Sequence, residues 1–272
     1  MCVLGPREVG FASTMGDEVL YEVRGSAAWL TLNRPERRNA LNHEAIERLI
    51  ECLGQSAADD QVRSVILTGA GDVFCAGGDF AGMSAGEGRV AEHERRGRVA
   101  DVFRAMAEHP KPIIARVNGV ALGGGFGLVV GCDLAVAAET AELGTPEVNA
   151  GLWPFMITAV IQRGVPRKLA LEMMMTGRRL TSAEAERWGI VNQVVPADRL
   201  DDAVTRLAED LAGKSPVALR LGKESFYRAQ DMSFEQALAY LNAMLTVDLE
   251  SEDVVEGVSA FLEKRSPEWK GR

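Results

Sequence analysis

The chain has 272 residues, of which 47% are hydrophobic and 25% are charged, and its net charge is −9. This composition is typical of a globular protein and offers no basic block that could neutralise nucleic-acid phosphates, so nucleic acid is not an expected partner. No apolar run reaches the ~18 residues that a membrane-spanning helix needs, so a membrane is not expected either.

The four cysteines, Cys2, Cys52, Cys75 and Cys132, are far apart and form no Cys-x-x-Cys pair. This spacing argues against a zinc site or a disulfide scaffold and favours a reducing, cytoplasmic location. Residues 1–16 contain a proline and the acidic residue Glu8 but no continuous apolar stretch, which is unlike a signal peptide. We therefore expect a loose N-terminal tail there.

Short apolar strands alternate with helices through the first two thirds of the chain. Strands are predicted at 19–25, 27–33, 62–71, 111–119 and 132–139, and helices at 42–56 and 97–109. In the first helix Ile46, Leu49, Ile50 and Leu53 have the spacing of one helical face. This alternation predicts an α/β protein whose core spans residues 17–197.

The pattern changes to helices alone in the C-terminal region, residues 198–272. Helices are predicted at 215–230, 233–247 and 251–265. The first begins with Ser215, a good N-cap, followed by proline, and the second has Ser233 and Gln236 at capping-box spacing. The apolar stripes of these helices must pack against the core or against another subunit.

Common nucleotide and metal motifs are not matched. The "AGKS" segment at 212–215 follows a predicted helix and lacks the first P-loop glycine, and the glycine-rich run fails GxGxxG at Leu128. The histidines at positions 43, 93 and 109 lack metal-ligand spacing and are expected to be exposed on helices. No metal is expected.

Two glycine-containing loops, 68–80 and 118–130, each follow a predicted strand. The triple glycine in the second loop has two possible explanations: a tight strand-to-helix turn, or a main chain kept bare so that its N–H groups can bind a ligand. The N–H of Gly124 would lie at a helix N-terminus, where amides lack partners and the dipole favours negative charge. One amide from each loop could form an oxyanion hole.

Six stretches in fixed order resemble the crotonase, or enoyl-CoA hydratase/isomerase, superfamily. They are LNRPERRNALN (32–42), FCAGGDF (74–80), VNGVALGGGFGLVVGCDLAVA (117–137), GTPEVNAGLWP (144–154), LTSAEAERWGIVNQVV (180–195) and FLEKRSPEW (261–269). The resemblance implies an α/β spiral of repeated ββα units and a helical C-terminal trimerisation region, with homotrimers or hexamers. It also implies a coenzyme A thioester as substrate and no separate cofactor.

By motif position, the resemblance implies that the amides of Ala76 and Gly124 bind the thioester oxygen. It also implies contacts of residues 38–40 and 76–80 with the coenzyme A moiety. The substrate-binding residues expected in this way are Arg38, Ala40, Ala76, Gly77, Gly78, Asp79, Phe80, Gly123, Gly124, Pro146 and Trp153.

Hydratases of this family use two glutamates, and the chain matches only one of these positions. Gly127 stands at the first position and Glu147 at the second. The "TPE" segment is also a good helix start, with Thr145 as N-cap, Pro146 at the first position and an acid in the first turn. The family position favours a catalytic role for Glu147, and the two roles can coexist.

A single carboxylate favours isomerase-type proton transfer or slow hydration, because hydration normally needs both a base for water and an acid. The alternatives are an acyl-CoA-binding protein without turnover, and a decarboxylase or hydrolase. Trp153, Phe155 and Met156 follow Glu147 and are candidates for an acyl pocket, although an ordinary core role explains them equally well.

Overall fold

A computed structural model describes residues 17–79 and 88–272. The predicted tail at 1–16 and the expected contact residue Phe80 lie outside the described residues. Within the described residues the ten strands are β1 (Val19–Arg24), β2 (Ala27–Leu32), β3 (Ser64–Gly69), β4 (Val73–Cys75), β5 (Ile113–Val117), β6 (Val120–Leu122), β7 (Leu134–Ala138), β8 (Glu142–Gly144), β9 (Arg179–Thr181) and β10 (Gln193–Val195).

Ten α-helices accompany these strands in the described part of the chain. They are α1 (His43–Ala58), α2 (Arg89–Glu108), α3 (Gly124–Gly131), α4 (Phe155–Gly164), α5 (Arg167–Thr176), α6 (Ser182–Arg187), α7 (Leu200–Ala212), α8 (Pro216–Ala229), α9 (Phe234–Leu249) and α10 (Glu252–Glu263). Short 3₁₀ helices lie at Pro35–Arg37, Pro146–Ala150 and Ala197–Arg199. No described helix combines the length and apolar character needed to cross a bilayer.

The strands form two sheets that the chain visits in turn. The larger sheet has the order β1-β2-β3-β5-β7-β10, and the smaller has the order β4-β6-β8-β9. The pairs β3–β4, β5–β6 and β7–β8 each place one strand in either sheet, and α2 and α3 connect successive pairs. The pairings inside this succession are parallel, as expected for strands joined by helical crossovers. The chain therefore winds as a spiral of ββα units.

The two faces of the larger sheet bury different residues because side chains alternate along a strand. In β2, Leu30 faces the main core, where the sheets and helices α1–α4 meet. Its neighbour Trp29 faces the opposite side, where Leu200 and Val204 of α7 cover the sheet. Helix α7 therefore packs on the sheet although it lies after residue 198. The boundary at residue 198 between the core and a separate helical region stays a prediction.

Several sequence expectations need correction. The predicted helix at 97–109 begins eight residues earlier, at Arg89. Both glycine-containing loops include a three-residue strand, β4 or β6, too short to show a periodicity. His109 is only 4% exposed, because its ring packs beside Ser56, whose Oγ lies 3.0 Å from His109 Nε2.

The predicted helix caps of the C-terminal region are confirmed. Ser215 accepts a bond from the third residue of α8, and Ser233 and Gln236 form a capping box on α9. The apolar stripes are less buried than expected, since α9 has no fully buried residue. Exposed apolar side chains on α9 and α10 include Phe234, Leu238, Leu241, Leu245, Val255, Val258, Phe261 and Leu262.

Candidate active site

Two paired strands bring the glycine segments together. β4 and β6 run parallel with Cys75 opposite Ala121, so their carboxyl ends lie side by side. Gly78 and Gly124 each follow these paired positions by three residues. A Cβ added at Gly77 would lie 3.6 Å from the nitrogen of Gly124, which shows how closely the two segments approach.

The three consecutive glycines have different structural reasons. Gly123 has φ of 53°, in the left-handed region, and a Cβ there would lie 2.9 Å from Oε1 of Glu147. A Cβ on Gly125 would lie 2.3 Å from the carbonyl oxygen of Cys75, so the two main chains could not approach. At Gly124 the nearest atom would be 3.4 Å away. The tight turn explains why residues 123 and 125 are glycines. It does not explain Gly124, for which the binding of a ligand by the bare main chain is the explanation that stays open.

The main-chain hydrogen bonds correct one member of the expected amide pair. The N–H of Ala76 donates to the carbonyl oxygen of Arg38 at 3.0 Å, so it is already used within the protein. The N–H of Gly78 has no acceptor among the described residues, and the N–H of Gly124, the first in α3, has none either. The amides available for an oxyanion are therefore those of Gly78 and Gly124.

A parallel bridge to Leu41 explains the free amide of Gly78. Leu41 donates to the carbonyl of Gly77 at 2.8 Å and accepts from the N–H of Asp79 at 2.9 Å. In such a bridge the residue between the two bonded groups turns its own N–H to the other side. A Cβ added to Gly78 would meet no atom within 4 Å, so open space lies beside this residue.

Glu147 extends from the 3₁₀ helix that follows β8. Its Oε1 lies against Gly123, while its Oε2 is buried and has no partner among the described residues. Burial raises the pKa of the Glu147 carboxyl above its usual 4.5, opposed by a bond from its own amide. Thr145 occupies the N-cap position, yet its side chain makes no capping bond. The capping explanation therefore lacks the Thr145 bond and does not account for the unpartnered Oε2 of Glu147.

The space beside Gly127 is filled by apolar side chains. A Cβ on Gly127 would lie 2.3 Å from Cγ2 of Ile157 and 3.1 Å from Cζ of Phe103. Ile157 lies in α4 and is 4% exposed. No larger side chain fits at position 127 unless these neighbours move, so this wall of the site is apolar.

An ion pair fixes the loop that carries Gly78. Arg34 and Asp79 are 2.9 Å apart and each side chain is 15% exposed, and Arg34 also donates to the carbonyl of Ala40 at 2.5 Å. Asp79 and Ala40 thus hold the loop, and their contacts with coenzyme A stay predictions. Arg38 is exposed with φ of 53°, and its expected contact with the nucleotide likewise stays a prediction.

Asn39 lies in the expected contact stretch 38–40, but the sequence did not predict that its side chain is buried and holds the loop together. It is 1% exposed and its Nδ2 donates to the carbonyls of Ala70 and Val73, at 2.9 and 2.7 Å. Its Oδ1 accepts from the N–H of Arg34 at 3.0 Å. Its φ of 55° is a conformation that asparagine tolerates better than most residues, which is the one signal that the sequence offered.

The aromatic candidates after Glu147 separate in the structure. Trp153 is half-buried against the main core, and Pro146 begins the 3₁₀ helix. Phe155 is 77% exposed and Met156 is 40% exposed, so neither lines an enclosed pocket within this chain. Among the described residues no group of three or more His, Cys, Asp or Glu is placed to hold a metal ion.

Comparison with known proteins decides the family. The family model described as "Enoyl-CoA hydratase/isomerase" matches residues 22–272. This chain belongs to the enoyl-CoA hydratase/isomerase family. It is 35% identical to 2,3-dehydroadipyl-CoA hydratase of Escherichia coli, over 89% of this chain and 94% of that protein. It is 34% identical to short-chain-enoyl-CoA hydratase of Clostridium acetobutylicum, over 93% and 97%.

A solved structure confirms the crotonase-type fold. The enoyl-CoA hydratase of Mycobacterium smegmatis matches with a TM-score of 0.88 and 37% identity, covering 93% of this chain and 98% of that chain. The spiral of ββα units and the C-terminal helices expected from the sequence are thus those of enoyl-CoA hydratase/isomerase enzymes. The family acts on acyl-CoA thioesters, and this chain is an acyl-CoA enzyme of that type.

Proposed function

We propose that this enzyme moves a proton on an enoyl-CoA thioester, with Glu147 as base and acid and the amides of Gly78 and Gly124 as the oxyanion hole. The observation that carries the proposal is Oε2 of the half-buried Glu147 carboxyl, which is buried without a partner among the described residues, beside the turn that exposes the amide of Gly124. A buried polar group without a partner costs stability, so its retention favours a role in the reaction.

The reaction that best fits one carboxylate is the shift of a 3-enoyl thioester to a 2-enoyl thioester. Glu147 takes the C2 proton, and the electrons move onto the thioester oxygen, where two N–H donors stabilise the enolate. The electrons then return through C2 and C3, and the same carboxyl gives its proton to C4. The raised pKa of Glu147 suits this exchange, because the group must both accept and donate a proton near neutral pH.

Hydration of a 2-enoyl thioester is the second candidate, because several relatives are named hydratases. Glu147 alone would activate water and then protonate C2. Gly127 supplies no second carboxylate and its surroundings are apolar, so we expect this reaction to be the slower one.

Incubation in deuterated water with mass spectrometry tests both reactions. We expect deuterium in the thioester and conversion of 3-enoyl-CoA to 2-enoyl-CoA, with Glu147→Gln abolishing both. Glu142→Gln is the matched control, because Glu142 is an exposed carboxylate on the preceding strand. Binding without deuterium incorporation would instead identify a non-catalytic acyl-CoA-binding protein, and release of carbon dioxide or free thiol would identify a decarboxylase or a hydrolase.

We also propose assembly into a homotrimer or a hexamer through α9 and α10. Phe234, Leu238, Leu241 and Leu245 recur at helical spacing on one exposed stripe of α9, too much apolar surface to leave in water. Light scattering should give three or six times the chain mass, and Leu245→Glu should lower it. A monomeric wild type would contradict this assembly. The cytoplasmic location stays a prediction.

A further inference from the structure

A cavity of about 650 Å³ lies at the C-terminal end of α3, away from Glu147. Side chains of α3, α4 and α8 form its walls, including Val130, Val160 and Leu219. These walls are mostly apolar, and its charged side chains are engaged in bonds within the protein, such as that of Lys223 to Asp133 at 2.7 Å. Such a lining suits an alkyl chain better than a polar ligand.

One face of α3 connects the candidate site to this cavity. Gly123, Gly127 and Gly131 follow at intervals of four residues, so they lie along the same side of the helix. Glu147 contacts the Gly123 end, and Gly131 lines the cavity. Eight residues of helix separate the two ends, a distance of about 12 Å.

Two side chains block this path, and we call Phe103 and Ile157 the apolar partition. Ile157 occupies the space over Gly127, where a Cβ would lie 2.3 Å from its Cγ2. The ring of Phe103 lies against both Gly127 and Gly131. A Cβ on Gly127 would lie 3.1 Å from its Cζ, and a Cβ on Gly131 would lie 3.3 Å from its Cδ1. Phe103 itself lines the cavity. The partition therefore lies between the cavity and the Gly123 end of α3, which Glu147 contacts.

We propose that Phe103 and Ile157 determine acyl-chain length: the enzyme takes short-chain acyl-CoA, and the cavity behind the partition accepts a longer alkyl tail once the partition is opened. The inference rests on the proposed function, because it places C2 and C3 of the acyl group beside Glu147. A chain lying along α3 then reaches Ile157 within one helical turn. A longer chain must displace one of the two side chains from close packing, which well-packed interiors resist.

The test compares kcat/KM for six-carbon and twelve-carbon 3-enoyl-CoA. The wild type should favour the six-carbon substrate roughly 10- to 100-fold, the range that hydrophobic pockets achieve. Ile157→Ala and Phe103→Ala should each reduce that preference at least about tenfold by raising the twelve-carbon value. Ile157→Val, a milder change that keeps the fold, should shift it in the same direction by a smaller factor.

A control variant with a large side chain in the cavity tests whether the alkyl tail of the substrate binds there. Gly222 lines the cavity from α8, and a Cβ there would meet no atom within 4 Å. Adding Gly222→Phe to Ile157→Ala should remove the twelve-carbon gain and leave the six-carbon rate unchanged. If the gain survives, the tail does not enter this cavity and the proposal is wrong.

Two further outcomes would overturn the inference: equal use of both chain lengths by the wild type, or an unchanged preference in all three partition variants. Calorimetric binding of saturated six- and twelve-carbon acyl-CoA separates this failure from failure of the proposed function. If no enoyl-CoA is turned over, the ratio of the two affinities should still shift with Ile157→Ala. An unchanged ratio would overturn the partition whatever the chemistry.

Discussion

The two ends of α3 treat their polar groups in opposite ways. At the N-terminal end the amide of Gly124 and the Oε2 of Glu147 have no partners among the described residues. Just beyond the C-terminal end, Asp133 accepts bonds from the N–H of Ile113, the hydroxyl of Tyr227 and the ammonium of Lys223, at 2.7, 2.9 and 2.7 Å.

Lys223 completes the bonded end. Its side chain is 8% exposed, and its Nζ also donates to the carbonyls of Met106 and Lys111 at 3.0 and 3.2 Å. The three N–H donors of the Lys223 ammonium group thus have three acceptors, Asp133 and these two carbonyls, and the bonds hold α8 against the core. Buried polar groups are thus left unpaired at the end of α3 that we propose to be reactive, whereas the polar groups at the other end form a hydrogen-bonded network that supports the fold.

Glu147→Gln should give the largest effect and move activity and stability in opposite directions. We expect kcat to fall roughly 10²- to 10⁴-fold, the usual worth of a positioned acid or base. The raised pKa of Glu147 means that the folded state disfavours its charged form. At a pH above the folded-state pKa this group therefore destabilises the folded protein, whereas at a pH below the unfolded-state pKa it has no effect on stability. The neutral variant should therefore be at least as stable as wild type at pH 7, measured by urea unfolding.

The same raised pKa sets the acid limb of the wild-type pH profile. Activity as a base needs ionised Glu147, so kcat/KM should fall as pH drops through a value above 4.5. A variant that is both fully active and less stable would show that this carboxylate is structural, which would remove the contrast between the two ends.

Lys223→Met should lower the free energy of unfolding by about 3–5 kcal/mol, because it removes the cation that pairs with the largely buried Asp133 carboxylate. Urea unfolding with the linear extrapolation measures the loss. Arg199→Met is the control: its ion pair with Asp202 is exposed, at 3.5 Å, and should be worth less than about 1 kcal/mol. Similar losses in both variants would mean that the network around Asp133 is no stronger than a surface pair.

His109 should make the protein sensitive to mild acid. Burial lowers the pKa of His109 to about 4, below the ordinary 6.5, so the folded state disfavours its protonated form. Stability is retained above pH 6.5 and is lost as pH falls towards 4, by roughly 3 kcal/mol from this group. His109→Asn should flatten that part of the profile of unfolding free energy against pH, whereas exposed His93→Asn should leave it as in wild type.

Local patterns were sufficient for the features that depend on neighbouring residues. The β-branched run of β3, the Ser233–Gln236 capping box and the glutamate of the "TPE" turn could all be identified from the sequence. The availability of the Gly78 amide could not, because it depends on a bridge to Leu41, more than thirty residues away. His109 was misplaced for the same reason, since its burial depends on a contact between the ends of two helices.

The smallest expected effect is the difference in stability between two glycine variants, Gly125→Ala and Gly78→Ala. The first places a Cβ 2.3 Å from the carbonyl oxygen of Cys75, a main-chain atom that cannot rotate away, and should cost about 1–3 kcal/mol of unfolding free energy. The second meets open space and should change stability by less than about 0.5 kcal/mol.

Turnover should also survive Gly78→Ala, because alanine keeps the N–H that we assign to the oxyanion hole. Thermal unfolding and the deuterium assay on the same two preparations measure both quantities. Equal destabilisation would mean that the space beside Gly78 is not open. A stable but inactive Gly78→Ala enzyme would mean that the thioester lies against the α-carbon of Gly78 itself, and bare main chain would then be required on both sides of the reacting oxygen.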